Sequence, residues 1–443
     1  MYDIVDALLN RTFGLGWPGW SVALIGHLFV ASLLFVVAPF QMLFFTYYER
    51  RAIARMQDRV GPNRVGPEGI WQPLADGVKL FTKEDIVPDV ADKWVHLIAP
   101  CVVVAPTMFM FAVLPWGPGM VPVNLSVGLL FFFAIASVTT VGLMMAGWAS
   151  NNKFALLGAM RAVAQMVSYE IPAVLSLLAI VMLTGTLSVV ELIAYQGGLF
   201  IASADMPGLP DLGLGWIVFT PVGLLAFLVF FVAALAEGER TPFDIPEADS
   251  EIVAGYMTEY SGMKFGLFYL AQYLLNFLLC AMAAVVFFGG WQGPGVGWLY
   301  AQAISPANPD GSGVFNVLAG VLGVFYMLAK TYGLFFVMIW VRGSFPRLRV
   351  DQLMDFGWKF LIPLTLVNVL SAALWVALTR WGPEQGITFT AGWSPLLRWG
   401  AAFVATGAVN IGAYLALGRV YATAQAGRGR VDVDELELVT TTR

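Results

Sequence analysis

Charge is scarce in this 443-residue chain: 12% of residues are Asp, Glu, Lys or Arg, against 59% hydrophobic. Soluble domains carry roughly 25% charged residues, so the composition excludes an ordinary soluble fold. Only two cysteines and two histidines are present. Cys101 and Cys280 fall in apolar runs, which excludes a zinc or iron–sulfur site built from cysteines of this chain. His27 and His96 fall near opposite faces of the first two apolar runs and cannot ligate one haem. No redox metal is therefore expected here. No direct or inverted repeat is visible, which argues against a repeat-built secondary transporter. The first twenty residues hold Asp3, Asp6 and Arg11 rather than a basic start and a short apolar core, so no cleaved signal peptide is expected.

What the chain has instead is apolar sequence in lengths that cross a ~30 Å hydrocarbon layer. Nine such runs are read, at about 21–47, 95–115, 125–148, 162–195, 216–236, 265–289, 315–341, 358–378 and 396–418. The expected fold is all-α, a polytopic transmembrane bundle of about nine spans. Prolines such as Pro39, Pro100, Pro106, Pro172, Pro221 and Pro363 predict bent or broken helices. The fourth run, at 1.5 Å per residue, is about 50 Å long and must tilt, protrude or break near Pro172. Nearly all of the 24 Lys and Arg fall in alternate connections, beginning with the one that holds Arg50, Arg51, Arg55, Arg59, Arg64, Lys79, Lys83 and Lys93. The positive-inside rule then predicts the N-terminus outside and the C-terminus in the cytoplasm.

Three polar segments fall on that inner side and are expected to converge. The first is Tyr48-Glu49-Arg50-Arg51, where Glu49 is expected to pair with its neighbouring arginines. The second, AEGERTPFDIPEADSEIVAGYMTEY, concentrates Glu237, Glu239, Asp244, Glu247, Asp249, Glu251 and Glu259 around the single base Arg240. Clustered acids beside hydrocarbon repel one another, which favours proton uptake and release. The third, RGSFPRLRVDQLMDFGWK, supplies Arg342, Arg347, Arg349, Asp351 and Lys359, and its bases together with Arg50 and Lys79 are expected to neutralise those acids. Between the first span and the second, Trp71, Leu74, Val78 and Phe81 recur at helical spacing opposite Asp76, Lys79 and Lys83, an amphipathic helix at a membrane surface. Inside the spans, Glu170, Glu191 and Lys330 stand alone. An ionisable group there costs about 2.5–3.5 kcal/mol even on the lenient scale, so each is a functional candidate, with Glu191 near an outer end where it can snorkel. The third span has no acid, and a proton route beside it must use Ser137, Thr139, Thr140 or water.

The strings YYERRAIARMQDRVGPNRVGPEG, LADGVKLFTKE, GAMRAVAQMVSYEIP, AEGERTPFDIPEADSEIVAGYMTEYSG and WVRGSFPRLRVDQLMDFGWKFLIPL, in this order, resemble the family of quinone-site membrane subunits of respiratory complex I. The resemblance spans roughly residues 22–377. It implies a subunit of NADH:quinone oxidoreductase in a bacterial inner membrane, forming a tunnel for ubiquinone or menaquinone. FMN and iron–sulfur clusters would sit only in partner subunits. Those partners are peripheral-arm subunits with the terminal cluster, small membrane subunits and antiporter-like subunits, with membrane lipid around them and no nucleic acid. On this resemblance Glu49, Arg50, Asp76, Lys79, Arg240, Glu247, Asp249 and Glu251 match the quinone chamber. Glu170, Glu237 and Lys330 match proton-coupling positions, with Glu239, Asp244 and Glu259 placed beside them as acids of the same loop, and Arg342, Arg347, Arg349, Asp351 and Lys359 match the basic motif.

Two positions depart from the family pattern: Glu239 stands where a neutral residue is expected, and Asp249 where glutamate is usual. The domain plan is an outer-side segment 1–20, an eight-span core 21–378 with cytoplasmic loops 49–93, 237–264 and 342–358, an outer loop with a ninth span 379–418, and a polar cytoplasmic tail 419–443. The ninth span exceeds the eight-span mitochondrial form, which points to a bacterial protein. Other readings are the related component of a membrane-bound hydrogenase, a lone proton-coupled transporter, and a structural anchor for peripheral subunits.

Overall fold

Side chains that cap backbone groups mark where four of the helices begin in the computed structural model, which describes residues 19–198, 213–245, 254–304, 312–380 and 394–428. In chain order the helices are α1 (Gly19–Met56), α2 (Gln72–Thr82), α3 (Lys93–Met110), α4 (Gly128–Ala149), α5 (Lys153–Thr184), α6 (Val189–Tyr195) and α7 (Pro221–Glu237). They continue with α8 (Gly262–Phe288), α9 (Val296–Ile304), α10 (Ser312–Ser344), α11 (Val350–Phe356), α12 (Ile362–Thr379) and α13 (Pro395–Arg428). Asp92 accepts from the Trp94 and Val95 amides at the head of α3, Asn152 from Phe154 at the head of α5, and Thr220 from Gly223 before Pro221 opens α7. A π turn over Gly357–Leu361 joins α11 to α12 without a break.

Among the described residues, eight helices are long and apolar enough to cross a membrane, and the 17-residue α7 is a shorter apolar helix beside them. The fold is thus a polytopic helical bundle. The fourth apolar run resolves differently from expectation. α5 starts at Lys153, passes through Pro172 and stops at Gly185, whose φ of 78° suits a residue without a Cβ. The rest of that run is the separate helix α6, begun by Ser188. The break therefore comes from glycine, not proline.

α8 is the centre of the bundle: 83% of its apolar window is inside, against 17% for α13 and 11% for α1. Its aromatic Phe277 meets Phe45 of α1 and Phe111 beyond the end of α3 at ring distances of 5.2 and 5.7 Å. Close helix approach elsewhere depends on missing side chains. A Cβ on Gly142 of α4 would stand 2.5 Å from Val103 of α3, and one on Gly147 2.3 Å from Ala159 of α5. α13 docks through a buried polar node. Asn410 accepts from Ser371 (2.6 Å) and donates to the Pro221 carbonyl (3.2 Å) and to Asn368 (3.1 Å), while Asn368 donates to the Val222 carbonyl (3.2 Å).

Candidate functional site

The first polar segment is helical throughout. α1 continues past its apolar run to Met56, so successive residues point about 100° apart around one helix. Glu49 turns into the bundle and is buried, while Arg50 turns the other way. Arg50 donates to Asp76 of α2 at 2.6 Å, Lys79 lies 3.8 Å from the same carboxylate, and Arg51 bonds Glu68 and Tyr47. These pairs hold α2 against the C-terminal end of α1. Its Trp71, Leu74, Val78 and Phe81 stay exposed on the side away from Asp76, as an amphipathic surface helix requires.

Buried Glu49 takes its partners from afar. Arg240 donates to Glu49 Oε1 at 2.6 Å, and Arg342 binds the same oxygen from the end of α10. The expectation of a local pair with neighbouring arginines is thus corrected: helical rotation sends those side chains outward and leaves Glu49 to bases nearly 200 and 300 residues on. Arg240 lies over the ring of Tyr273 of α8, 4.6 Å from its centroid. Arg347 reaches Asp244 at 3.1 Å. Burial pushes the Asp244 carboxyl above the ordinary aspartate range, and Arg347, Arg342 and Arg240 pull it back only in part. The three inner segments therefore meet at one place. Arg50 and Lys79 are not part of it, since both turn to Asp76.

The stretch 237–245 is fastened from three sides. Gln165 of α5 donates to the Ala236 and Phe243 carbonyls, both at 2.7 Å. Asn276 of α8 donates to the Gly238 carbonyl at 3.1 Å, and the Leu348 amide donates to the Pro242 carbonyl at 3.1 Å. A Cβ on Gly238 would stand 2.1 Å from Asn276 Oδ1, so that approach requires glycine. Glu239 has φ of 51°, a left-handed conformation costly for a residue with a Cβ, and Tyr256 donates to its carboxylate at 3.0 Å. This held backbone aims Glu237 and Glu239 inward, and both are buried.

Glu237 lies within electrostatic reach of Glu170, which accepts from Ser137 of α4. Among the described residues nothing hydrogen-bonds Glu237 Oε2. A buried acid within electrostatic reach of a half-buried one is sensitive to a change of charge nearby, because little water screens it. The other predicted residues sit apart. Glu259 accepts from Asn152 at 2.7 Å, Lys359 pairs with Asp355 at 2.7 Å, and Arg349 precedes α11 with Asp351 in its first turn. Glu191 is exposed and accepts from Thr186 at 2.5 Å. Lys330 donates to the carbonyls of Phe288 (2.6 Å), Gly290 (2.9 Å) and Gln292 (2.5 Å), closing the C-terminal end of α8. Glu247, Asp249 and Glu251 lie outside the described residues.

Sequence reasoning passed over Gln272, Tyr273 and Asn276, which bring Glu239, Arg240 and Gly238 into place. Their signal was available: three polar-tipped side chains within one turn and a half of an otherwise apolar helix.

Residues 29–373 match the family model of NADH dehydrogenase. The chain belongs to this family. The H subunit of the NADH-quinone oxidoreductase of Dehalococcoides mccartyi strain CBDB1 is 47% identical over 348 residues, which cover 78% of this chain and 86% of that protein. The protein of the same name from Chlorobaculum tepidum is 44% identical over 375 residues, 84% of this chain and 96% of its own length. The family match includes every described member of the ion cluster, from Glu49 to Arg347. It ends before α13, so the ninth helix of this family member lies outside it.

Proposed function

We propose that the chain is the quinone-site membrane subunit of a proton-pumping NADH:quinone oxidoreductase, set in a bacterial cell membrane with its N-terminus outside. Quinone would approach between the inner ends of the helices and receive electrons from a partner's iron–sulfur cluster. The observation that carries this reading is the buried meeting of Glu49, Arg240 and Arg342 from three inner segments, next to Asp244 and Arg347. A cluster of this kind responds to negative charge on a nearby reduced quinone by shifting its arginines and proton occupancy. The stretch 237–245 ties the cluster to Glu237, and Glu237 lies within electrostatic reach of Glu170. Charge at the quinone end is thereby felt at an acid pair on the way into the bundle. Ser137 on Glu170 extends that line to α4, where Thr139 and Thr140 follow.

Lys330 has a narrower part. Its ammonium is engaged by three carbonyls, so we assign it the holding of α8 and α10 together, and any proton transfer through it requires those bonds to loosen. Glu247, Asp249 and Glu251 are proposed as the quinone-facing acids on the strength of the motif alone.

The test is substitution of Arg240 by alanine and Glu237 by glutamine, with NADH:quinone activity and proton pumping measured on the same membranes. Arg240→Ala is expected to lower both together, and Glu237→Gln to lower pumping at least as far as electron transfer. Unchanged rates and unchanged pumping in both variants would reject the reading. Migration of the chain alone in native electrophoresis would favour a lone transporter instead.

A further inference from the structure

A cleft runs along α7 on the side of α13. Its upper part has a volume of about 670 Å³ and is walled by Val232 and Leu235 of α7, Phe345 and Leu348 after α10, Phe356 of α11 and Tyr421 of α13. The lower part, about 580 Å³, shares Val232, Phe356 and Tyr421 with it and runs on past Leu228, Leu415 and Gly418. Both volumes lie in the range of roughly 300–1,000 Å³ typical of pockets that enclose a small ligand. The walls are apolar nearly throughout, so water gains little there and hydrocarbon fits.

The cleft is basic at its inner end. Arg419 lines the lower part. Arg347, between the wall residues Pro346 and Leu348, does not line the cleft, and its guanidinium goes to Asp244. Tyr421, two residues beyond Arg419, packs its ring 6.1 Å from Phe356 and 5.9 Å from Phe360, at the level where α11 ends. Arg419 is exposed and has no salt bridge among the described residues, whereas Arg347 gives one nitrogen to Asp244 and stays 40% exposed. Basic pockets between transmembrane helices at the cytoplasmic face suit phosphate headgroups. A neutral quinone head would gain nothing from such a rim, and two joined concavities do not match the continuous cylinder of a partner helix.

We propose that this cleft is a site for one anionic phospholipid of the bilayer, with acyl chains in the two cavities and the phosphate against Arg419. The ninth helix supplies one wall and the one rim arginine that has no salt bridge among the described residues. This gives the helix outside the family match a role: completing a lipid site that braces the Arg347–Asp244 pair from behind.

The experiment uses native membranes holding the whole complex. A photoreactive phosphatidylglycerol with its label in the acyl chain is cross-linked, and labelled peptides are mapped by mass spectrometry. Labelling is expected at residues 345–356 and 414–422. It should fall at least fivefold for Arg419→Gln and for Gly418→Phe. A Cβ at Gly418 meets nothing within 4 Å, so the added ring enters the cavity rather than another helix. No labelling of these peptides in the unsubstituted protein would overturn the proposal, as would equal labelling by an uncharged diacylglycerol probe or by a quinone-headed one. Cross-linking of position 418 to a partner protein would overturn it in favour of a protein occupant. Because lipid labelling is read without reference to turnover, its failure is separable from failure of the quinone-site reading.

Discussion

Glu49 is the carboxylate on which the site turns, because one oxygen of it meets two guanidiniums in a place with almost no solvent. Removing one partner of a buried pair typically costs about 3–5 kcal/mol, since the survivor keeps its desolvation penalty without compensation. Glu49→Gln is accordingly expected to lower both the amount of assembled complex and its quinone reductase rate, the latter on the order of tenfold, as measured by activity per assembled complex on native gels. Asp244 gives a prediction of opposite character. Its carboxyl already lies above the ordinary aspartate range because burial outweighs the arginines around it. Arg347→Gln removes one of those arginines, so the carboxyl moves higher still and is neutralised earlier as pH falls. The acid limb of the pH–rate profile should therefore shift to higher pH in that variant, and an unmoved limb would count against a role for ionised Asp244. At this scale the sequence displayed the participants but not their pairing. Helical phase turned Arg50 and Arg51 away from Glu49, and the bond to Arg240 spans 191 positions. No reading of neighbours along the chain reveals such a contact.

Helix ends and helix docking set the frame around that cluster. Lys330 satisfies three carbonyls at the end of α8 while its ammonium lies 4.7 Å from the ring centre of Trp216. Lys330→Met leaves those carbonyls without their donor, and a loss on the order of 3 kcal/mol is expected, seen as a lower thermal midpoint of the complex. A variant that pumps poorly but melts normally would point instead to a transfer role. The node of Ser371, Asn368 and Asn410 makes a smaller prediction. Interhelical polar contacts in membranes contribute about 0.6–1.7 kcal/mol, so Asn410→Leu should loosen α13 without unfolding the core. Faster proteolysis at the α13 end, with the rest of the chain intact, is the expected reading. Apolar runs predicted the spans well because lipid imposes one length on all of them. They failed at α5 and α6, where hydrophobicity runs on through Gly185 and only the backbone conformation stops the helix. Capping by Lys330 was equally hidden, because nothing along an apolar run tells which carbonyls a lone lysine will meet.

Across the described molecule, the buried ion pairs are sorted to one end of the bundle. α8 lies at the core, α1 and α13 lie at the rim, and the buried ions collect where α1, α7 and α10 end. The plan suits a device in which chemistry at one face is sensed by acids reaching into the membrane from that face, such as Glu237 and Glu170. It also explains why strong intramembrane charges are few: each needs fixed donors or acceptors, as Glu170 has in Ser137 and Lys330 has in its carbonyls. The central claim is that the Glu49–Arg240–Arg342 cluster links quinone reduction to proton movement. The most direct measurement is the rate of NADH:quinone reduction and the initial rate of proton uptake, recorded together on inverted membrane vesicles carrying Arg240→Ala. A fall on the order of tenfold in both, at unchanged assembly, is the predicted result. Full quinone reduction with full proton uptake in that variant would contradict it.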